Sequence, residues 1–311
     1  METKIKILSV NISEKKGTIK KPISSINLTN VGVEGDAHSG PWNRMLSLLA
    51  AESINKFAKE ANRNIEFGEF AENISTEGML LHKSKPLDKF YNDNVELEVT
   101  QIGKKCHGTN CQIFQEIGNC VMPKEGIFAR VLKQGEVKEG DEFVYEPRVI
   151  KTKIITLSDR AFEGIYKDKS GKIIEQRVKD FWDNNGRLSE INYTLIPDNE
   201  EKLKAAINEA VNSNFDFIFT TGGTGIGPKD ITPDVVKPMF DKEIPGIMDL
   251  IRMKYGAEKP AALISRSVAG LIGKSLVYCL PGSTKAVNEY MDEILKTVEH
   301  SLYMIHQLDL H

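Results

Sequence analysis

Long hydrophobic runs, a cysteine framework and a surplus of either charge are all missing from this chain, and each absence removes a class of protein. No stretch of about 18 consecutive apolar residues occurs, so nothing in the sequence reads as a membrane span. The opening segment METKIKILSVNI is interrupted by Asn11 and lacks a small-residue cleavage site, which argues against a secretory leader. Four cysteines among 311 residues, three of them within positions 106–120, are too few and too bunched for the disulfide scaffold of a secreted protein. The 41 Lys+Arg residues nearly balance the 44 Asp+Glu, so no basic face suited to nucleic acid is expected and any anion site must be local. Low-complexity tracts, short-period repeats and long Gly/Ser or Pro-rich linkers are absent too. The expectation is a soluble, cytoplasmic chain with two closely tethered domains, binding neither nucleic acid nor membrane.

What is present differs between the two halves. In the second half KIITLS (153–158), INYTLIP (191–197), FDFIFTT (215–221) and SLVYCL (275–280) read as strands. Between them KIIEQRVKDFWDNNG (172–186) and EEKLKAAINEAVNS (200–213) have helical spacing, the latter through Leu203, Ile207, Ala210 and Val211. A further helix is expected from Thr232 as N-cap with Pro233 at its first position, and a long amphipathic one over 281–307. This alternation predicts an α/β domain over 151–311 with a doubly wound, mostly parallel sheet. Residues 1–147 instead read as mostly β, with IKILSVNI, VELEVTQIG and GDEFVYE among glycine turns and one helix over SLLAAESINKFAKEAN (47–62). GEVKEGDEFVYEP is expected to close as a hairpin turning at Gly140 and Asp141, with Pro147 ending the strand.

The stretch TTGGTGIGPKDITPD (220–234) places four glycines in six positions directly after the third strand of the second domain. It is not a Walker A loop, because Pro228 and Lys229 follow Gly227 where Lys and Ser/Thr are required. Nor is it a dinucleotide fingerprint, since Gly223, Gly225 and Gly227 read G-x-G-x-G. Glycine nevertheless lets backbone N–H groups approach an anion, and ligands of open parallel sheets bind beyond the carboxyl ends of the strands. Asp230 changes the meaning of such a cradle: a carboxylate 4 Å from a phosphate would repel it by about 4 kcal/mol at an effective dielectric near 20. A divalent cation between them removes the conflict, and Asp198, just after INYTLIP, is the expected second carboxylate for Mg²⁺. The alternative is a plain structural turn in which Asp230 only favours the helix dipole. SDR (158–160) and LPGSTKAV (280–287) also end strands, DKSG (168–171) lies between, and Ser283 and Lys285 are available to anions.

Taken in order, SDR, DKSG, IPD, TTGGTGIGPKDITPD, SRSVAG and LPGSTKAV resemble the molybdopterin adenylyltransferase family, which includes a domain of gephyrin, over about residues 151–308. The resemblance implies transfer of AMP from Mg-ATP to the terminal phosphate of molybdopterin, with Asp198 and Asp230 as the metal-holding catalytic carboxylates. It implies that substrate is gripped by Ser158, Asp159, Asp168, Ser170, Gly222, Gly223, Thr224, Gly225, Lys229, Thr232, Ser265, Arg266, Pro281, Gly282, Ser283 and Lys285. A homo-oligomer, in the form of a trimer, and dealings with a molybdate-insertion protein and molybdoenzymes follow from the same resemblance. Two positions depart from the family pattern: Lys229 stands where Arg is common, losing the bidentate fork, and Thr284 replaces a usual Pro.

The segment EVTQIGKKCHGTNCQIFQEIGNCVMP (98–123) raises a separate question. A zinc site from Cys106, His107, Cys111 and Cys120 is disfavoured, because neighbours on an extended strand point to opposite faces and C-x4-C-x8-C lacks a C-x2-C knuckle. A Cys106–Cys111 disulfide, inert thiols and a reactive Cys106 thiolate beside Lys104 and Lys105 stay open, with the last favoured. VEGDAHSGPWNRMLSLLA (33–50), GEFAENISTEG (68–78), the cysteine segment and EGIFARV (125–131) resemble the MOSC domain. That implies a barrel-like fold and a Cys106 that carries sulfur or ligates molybdenum, with His38, Arg44, Asn73 and Arg130 gripping the cofactor phosphate. Molybdenum ion and pyridoxal phosphate binding enter as expectations on the same ground. The combination predicts a bifunctional enzyme of molybdenum cofactor biosynthesis; the alternatives are a molybdopterin carrier and a reductase of N-hydroxylated compounds that makes its own cofactor.

Overall fold

The computed structural model describes residues 3–105 and 120–308, so Cys106, His107 and Cys111 lie outside the described residues. The chain divides into two compact units, one running to Arg148 and including Gln307 and Leu308, the other Val149–His306. The last residues assigned by sequence to the second domain therefore group with the first.

The first unit is a closed barrel of seven strands. In spatial order they are Glu142–Glu146, Lys89–Tyr91, Glu96–Ile102, Ile127–Lys133, Leu46–Ala50, Ile74–Glu77 and Thr3–Ile12, and the pairing Thr3↔Tyr145 through Lys6↔Glu142 closes the ring. Among the described residues of the barrel only Leu46–Ala50 and Ile74–Glu77 run parallel. Alternating residues such as Ile5, Ile7, Leu46, Leu48, Ile74, Leu97, Val99 and Phe143 fill the interior. The helix expected over 47–62 is in fact the strand Leu46–Ala50 followed by the helix Ala51–Ala61. The strand is buried at all five positions: Leu48 and Ala50 face the barrel core, while Leu49 packs outward with Ile54, Phe57 and Phe70. With both faces covered, the alternation that marks a strand is lost. The expected hairpin also differs. A turn at Gly140 and Asp141 does form, with the Asp141 carboxylate accepting from Lys138 N–H at 2.9 Å, but Gly135–Lys138 pairs with Ser25–Thr29 in a small second sheet, whereas Glu142–Glu146 joins the barrel.

The second unit carries a six-stranded sheet. Leu188–Ile196, Val149–Leu157, Phe217–Thr221 and Ser275–Leu280 are parallel neighbours in that order; Ala269–Ile272 and Lys242–Glu243 continue the sheet antiparallel. Helices cover both faces. Ile155, Ile218 and Val277 pack against Leu203, Ile207 and Ala210 of helix Glu200–Asn212. On the other face helices Ser170–Asn184 and Thr284–Ile294 lie side by side, and Trp182 meets Phe217 at 5.7 Å. The long helix expected over 281–307 is two helices, Thr284–Ile294 and Val298–Ile305, because Thr297 turns back to bond the Ile294 carbonyl through both its amide (2.9 Å) and its hydroxyl (2.8 Å). Thr232 is likewise not an N-cap: it lies inside the short helix Thr232–Val236, with Pro233 after it.

Candidate active site

Four parallel strands end on one edge of the second unit, and their loops enclose an open cleft of about 540 Å³. Leu157 and Ser158 come from the first of these ends, Asp198 from the second, Gly222 to Gly225 with Lys229 and Asp230 from the third, and Pro281, Gly282 and Ser283 from the fourth. Tyr166, Ala261, Ile264 and Ser265 complete the lining.

The glycine turn is shaped by what crowds it. Gly222 has φ +104°, and a Cβ there would sit 2.3 Å from the Leu157 carbonyl oxygen; Gly223 has φ +64°, and a Cβ would sit 2.6 Å from Thr232 Oγ1. Thr232 donates its hydroxyl to the Gly222 carbonyl at 2.8 Å and its amide to that of Gly223 at 3.0 Å, so this residue clasps the turn instead of facing ligand. Arg266 acts in the same way. Its amide bonds the Thr224 carbonyl (2.9 Å), its Nε the Gly225 carbonyl (2.7 Å), its Nη2 the Asp230 carbonyl, and its Nη1 donates to both carboxylate oxygens of Asp234 at 2.8 and 2.9 Å. Expected as a ligand contact, Arg266 is spent on holding the loop.

The carboxylates are held from one side only. Asp198 Oδ2 accepts from the Asp159 amide and Asp159 Oδ1 from the Asp198 amide, both at 3.0 Å, a reciprocal clasp between two strand ends. Asp159 Oδ2 takes Lys229 Nζ at 2.7 Å, and that hydrogen bond, followed by the Asp198 amide, holds the Asp159 carboxyl below its ordinary pKa. Asp230 Oδ2 accepts from the Gly227 amide at 2.8 Å. The remaining oxygen of Asp198 and that of Asp230 accept no hydrogen bond among the described residues. Two half-used hard oxygen donors beside the cleft fit Mg²⁺, which characteristically takes one or two carboxylates and completes its shell with substrate and water. No group of three His, Cys, Asp or Glu side chains converges as a self-sufficient metal cage among the described residues.

Asp168 and Ser170 are elsewhere. Asp168 accepts from Ser170 N–H and Oγ–H, Gly171 N–H, Thr156 Oγ1–H and Tyr193 O–H, all within 3.2 Å. Burial would raise its pKa, but the hydrogen bonds from Ser170, Tyr193 and Thr156 outweigh that and hold it low. Neither Asp168 nor Ser170 lines the cleft; they anchor the start of helix Ser170–Asn184. Ser283 N-caps helix Thr284–Ile294 through Ala286 N–H at 3.2 Å while lining the cleft; Lys285, two residues on, is not among the lining residues. Sequence reasoning missed Tyr166, whose hydroxyl lies 2.9 Å from Ser158 Oγ and whose ring stacks under Arg160 at 5.2 Å. An aromatic between the SDR and DKSG motifs was its only signal.

In the first unit the expected phosphate-gripping residues differ in their freedom. His38 is half-buried with Nδ1 3.4 Å from Lys20 Nζ, and Arg44 stacks on the exposed Trp42 at 5.2 Å. Asn73 is buried, accepting from Ser47 N–H (3.2 Å) and Oγ–H (3.0 Å) and donating to the Asn11 carbonyl (3.2 Å), so it ties strands together rather than facing a ligand. Arg130 pairs with Glu98 at 2.6 Å. Beneath His38 lies an ionic cluster shut from solvent: Lys20 pairs with Asp36, and Glu72 is wholly buried, with Oε1 accepting from Gly68 N–H (2.6 Å) and Ser75 Oγ–H (2.9 Å) and Oε2 without a partner among the described residues. Burial pushes the Glu72 carboxyl up to about 7.

Comparison with known proteins agrees with this division. Residues 35–144 match the MOSC domain, and residues 153–300 match a family described as a probable molybdopterin binding domain. The molybdopterin adenylyltransferase of Helicobacter pylori is 33% identical over 153 residues, covering 49% of this chain and 85% of that protein. The chain joins a MOSC domain to a member of the molybdopterin binding domain family. The molybdenum cofactor biosynthesis bifunctional protein of Chlorobaculum tepidum is 32% identical over 162 residues, covering 52% of this chain, and gephyrin of Dictyostelium discoideum is 32% identical over 158 residues, covering 49%. The match spans only 49% and 22% of those two proteins, respectively. The second unit of the MOSC fusion thus stands among molybdenum cofactor biosynthesis proteins. No helix among its described residues is long and apolar enough to cross a membrane.

Proposed function

We propose that the second unit adenylylates molybdopterin. A phosphate oxygen of molybdopterin attacks the α-phosphorus of ATP, the bond from that phosphorus to the β-phosphate oxygen breaks, and pyrophosphate leaves. The observation that supports this most is the pair Asp198 and Asp230 lining one cleft beside the glycine turn, each with a carboxylate oxygen that accepts no hydrogen bond among the described residues. Mg²⁺ bound to those oxygens would offset the negative charge on the transferring phosphoryl group. The chain's own part is positioning: Lys229, tied to Asp159, brings positive charge to the cleft, and the turn at Gly222 and Gly223 allows backbone to approach the phosphates closely. A phosphate monoester with a second pKa of about 6 is already an anion near neutrality, so little general-base help is required. Among the described residues, the cleft lining holds no histidine.

Purified full-length protein incubated with molybdopterin, ATP and Mg²⁺ is expected to release pyrophosphate and form adenylyl-molybdopterin. Asp198→Asn and Asp230→Asn should each lower kcat by about 100-fold or more while molybdopterin still binds. Full turnover by either variant would refute their role, and binding without product in the wild type would make the unit a carrier. For the first unit the reading is that MOSC residues bind the molybdenum cofactor through Cys106 thiolate, a soft ligand suited to the metal. Titration of the full chain with the cofactor tests this: Cys106→Ala should weaken binding, and unchanged affinity would exclude the thiolate as ligand.

A further inference from the structure

Part of the cleft is lined by groups that have nothing to offer a phosphate. Tyr166, Ala261 and Ile264 stand among the glycines, serines and carboxylates of the lining, and 45% of Tyr166 and 57% of Ile264 remain open to solvent. Ala261 and Ile264 belong to the 3₁₀ helix Pro260–Ile264, none of whose residues is buried. Their side chains make no hydrogen bond, and the face of a phenol ring carries negative charge density that repels an anion. The Tyr166 ring is nevertheless held from two directions. Its hydroxyl lies 2.9 Å from Ser158 Oγ, an oxygen itself fixed as the acceptor of Ala161 N–H at 3.2 Å, and the Arg160 guanidinium stacks on the ring at 5.2 Å. No other ring or cation packs on Tyr166 among the described residues. An aromatic ring fixed in orientation, with aliphatic side chains in the same cleft, suits a flat uncharged ring, which gains from stacking and from leaving water.

We propose that Tyr166 is a stacking platform for the planar heterocycle of a substrate, with Ala261 and Ile264 as the apolar remainder of the slot, and that it sets affinity for the ring and not for the phosphate. The assignment rests on the adenylyl-transfer reading, both of whose substrates carry such a ring: the purine of the nucleotide and the pterin of molybdopterin. Isothermal titration of the full-length chain with AMP and, separately, with molybdopterin tests it and tells the two rings apart. Tyr166→Ala should weaken one of these ligands about tenfold and leave the other unchanged, the affected ligand naming the ring. Tyr166→Phe, which keeps the ring and loses the bond to Ser158, should bind both as wild type does. Four results overturn the platform: no binding of either ligand by wild type, no change in Tyr166→Ala, equal loss of both ligands, or a loss in Tyr166→Phe as large as in Tyr166→Ala. The last would make the hydroxyl a brace for Ser158. The two readings fail separately. Ring-dependent binding without any adenylylated product would leave the platform standing and remove the transferase; product formed with a KM for both substrates indifferent to Tyr166→Ala would do the reverse.

Discussion

Glu72 carries a carboxyl group that burial moves far from its ordinary chemistry. Its carboxyl is wholly buried and titrates at about 7, against 4.5 for a solvated glutamate. Below about pH 4.5 it is protonated in folded and unfolded chain alike; between there and about pH 7 only the folded chain keeps the proton. Stability therefore falls as pH rises through this window, by on the order of 3 kcal/mol, and levels off above it. Asp36 acts in the opposite sense: burial would raise its pKa, but hydrogen bonds from His38 and Lys20 prevail and lower it, so its contribution is lost only at more acid pH. Thermal unfolding between pH 5 and 8 should show the Glu72 slope in wild type and its disappearance in Glu72→Gln; an equal slope in both would assign it elsewhere. Gly222 is a position at the cleft that only glycine fits. At φ +104° and with Leu157 oxygen 2.3 Å from any Cβ, Gly222→Ala should cost about 1–3 kcal/mol in urea unfolding and disturb the cleft with it.

At the scale of elements, the start of helix Ser170–Asn184 depends on a single carboxylate. Asp168 gathers donors from its own turn, from Thr156 on strand Val149–Leu157 and from Tyr193 on strand Leu188–Ile196. Asp168→Ala would leave these donors partnerless around a partly buried point, and a loss on the order of 3 kcal/mol is expected by chemical denaturation. The glycine turn depends comparably on Arg266, but with a different readout. Because Arg266 binds loop carbonyls and the surface Asp234, Arg266→Met should loosen the turn and, on the adenylyl-transfer reading, raise the KM for nucleotide while moving Tm little. A large fall in Tm with unchanged KM would make its role one of stability.

Across the whole molecule, each unit has its own sheet and its own core, and every residue lining the cleft belongs to Val149–His306. Residues 149–306 expressed alone are expected to give the circular dichroism of a folded α/β domain and, on the adenylyl-transfer reading, to form product with a kcat within about threefold of the full chain. A folded fragment without activity, beside an active full chain, would show that the site needs the MOSC unit.

The sequence by itself determined the plan of the second unit, since strands such as Ser275–Leu280 are continuous apolar runs and helix Glu200–Asn212 keeps its apolar residues on one face. It also determined that Asp198 and the Asp230 loop would follow strands, because the glycines and turn residues that end those strands are local signals. Tertiary structure alone decided what these signals could not carry. Leu46–Ala50 became a strand because neighbours cover both its faces, Asp168 and Arg266 became supports because partners reach them from other elements, and Thr232 became one because its own loop folds back onto it. Periodicity reports which face of an element is apolar; what lies opposite a polar group is settled only when the chain has packed.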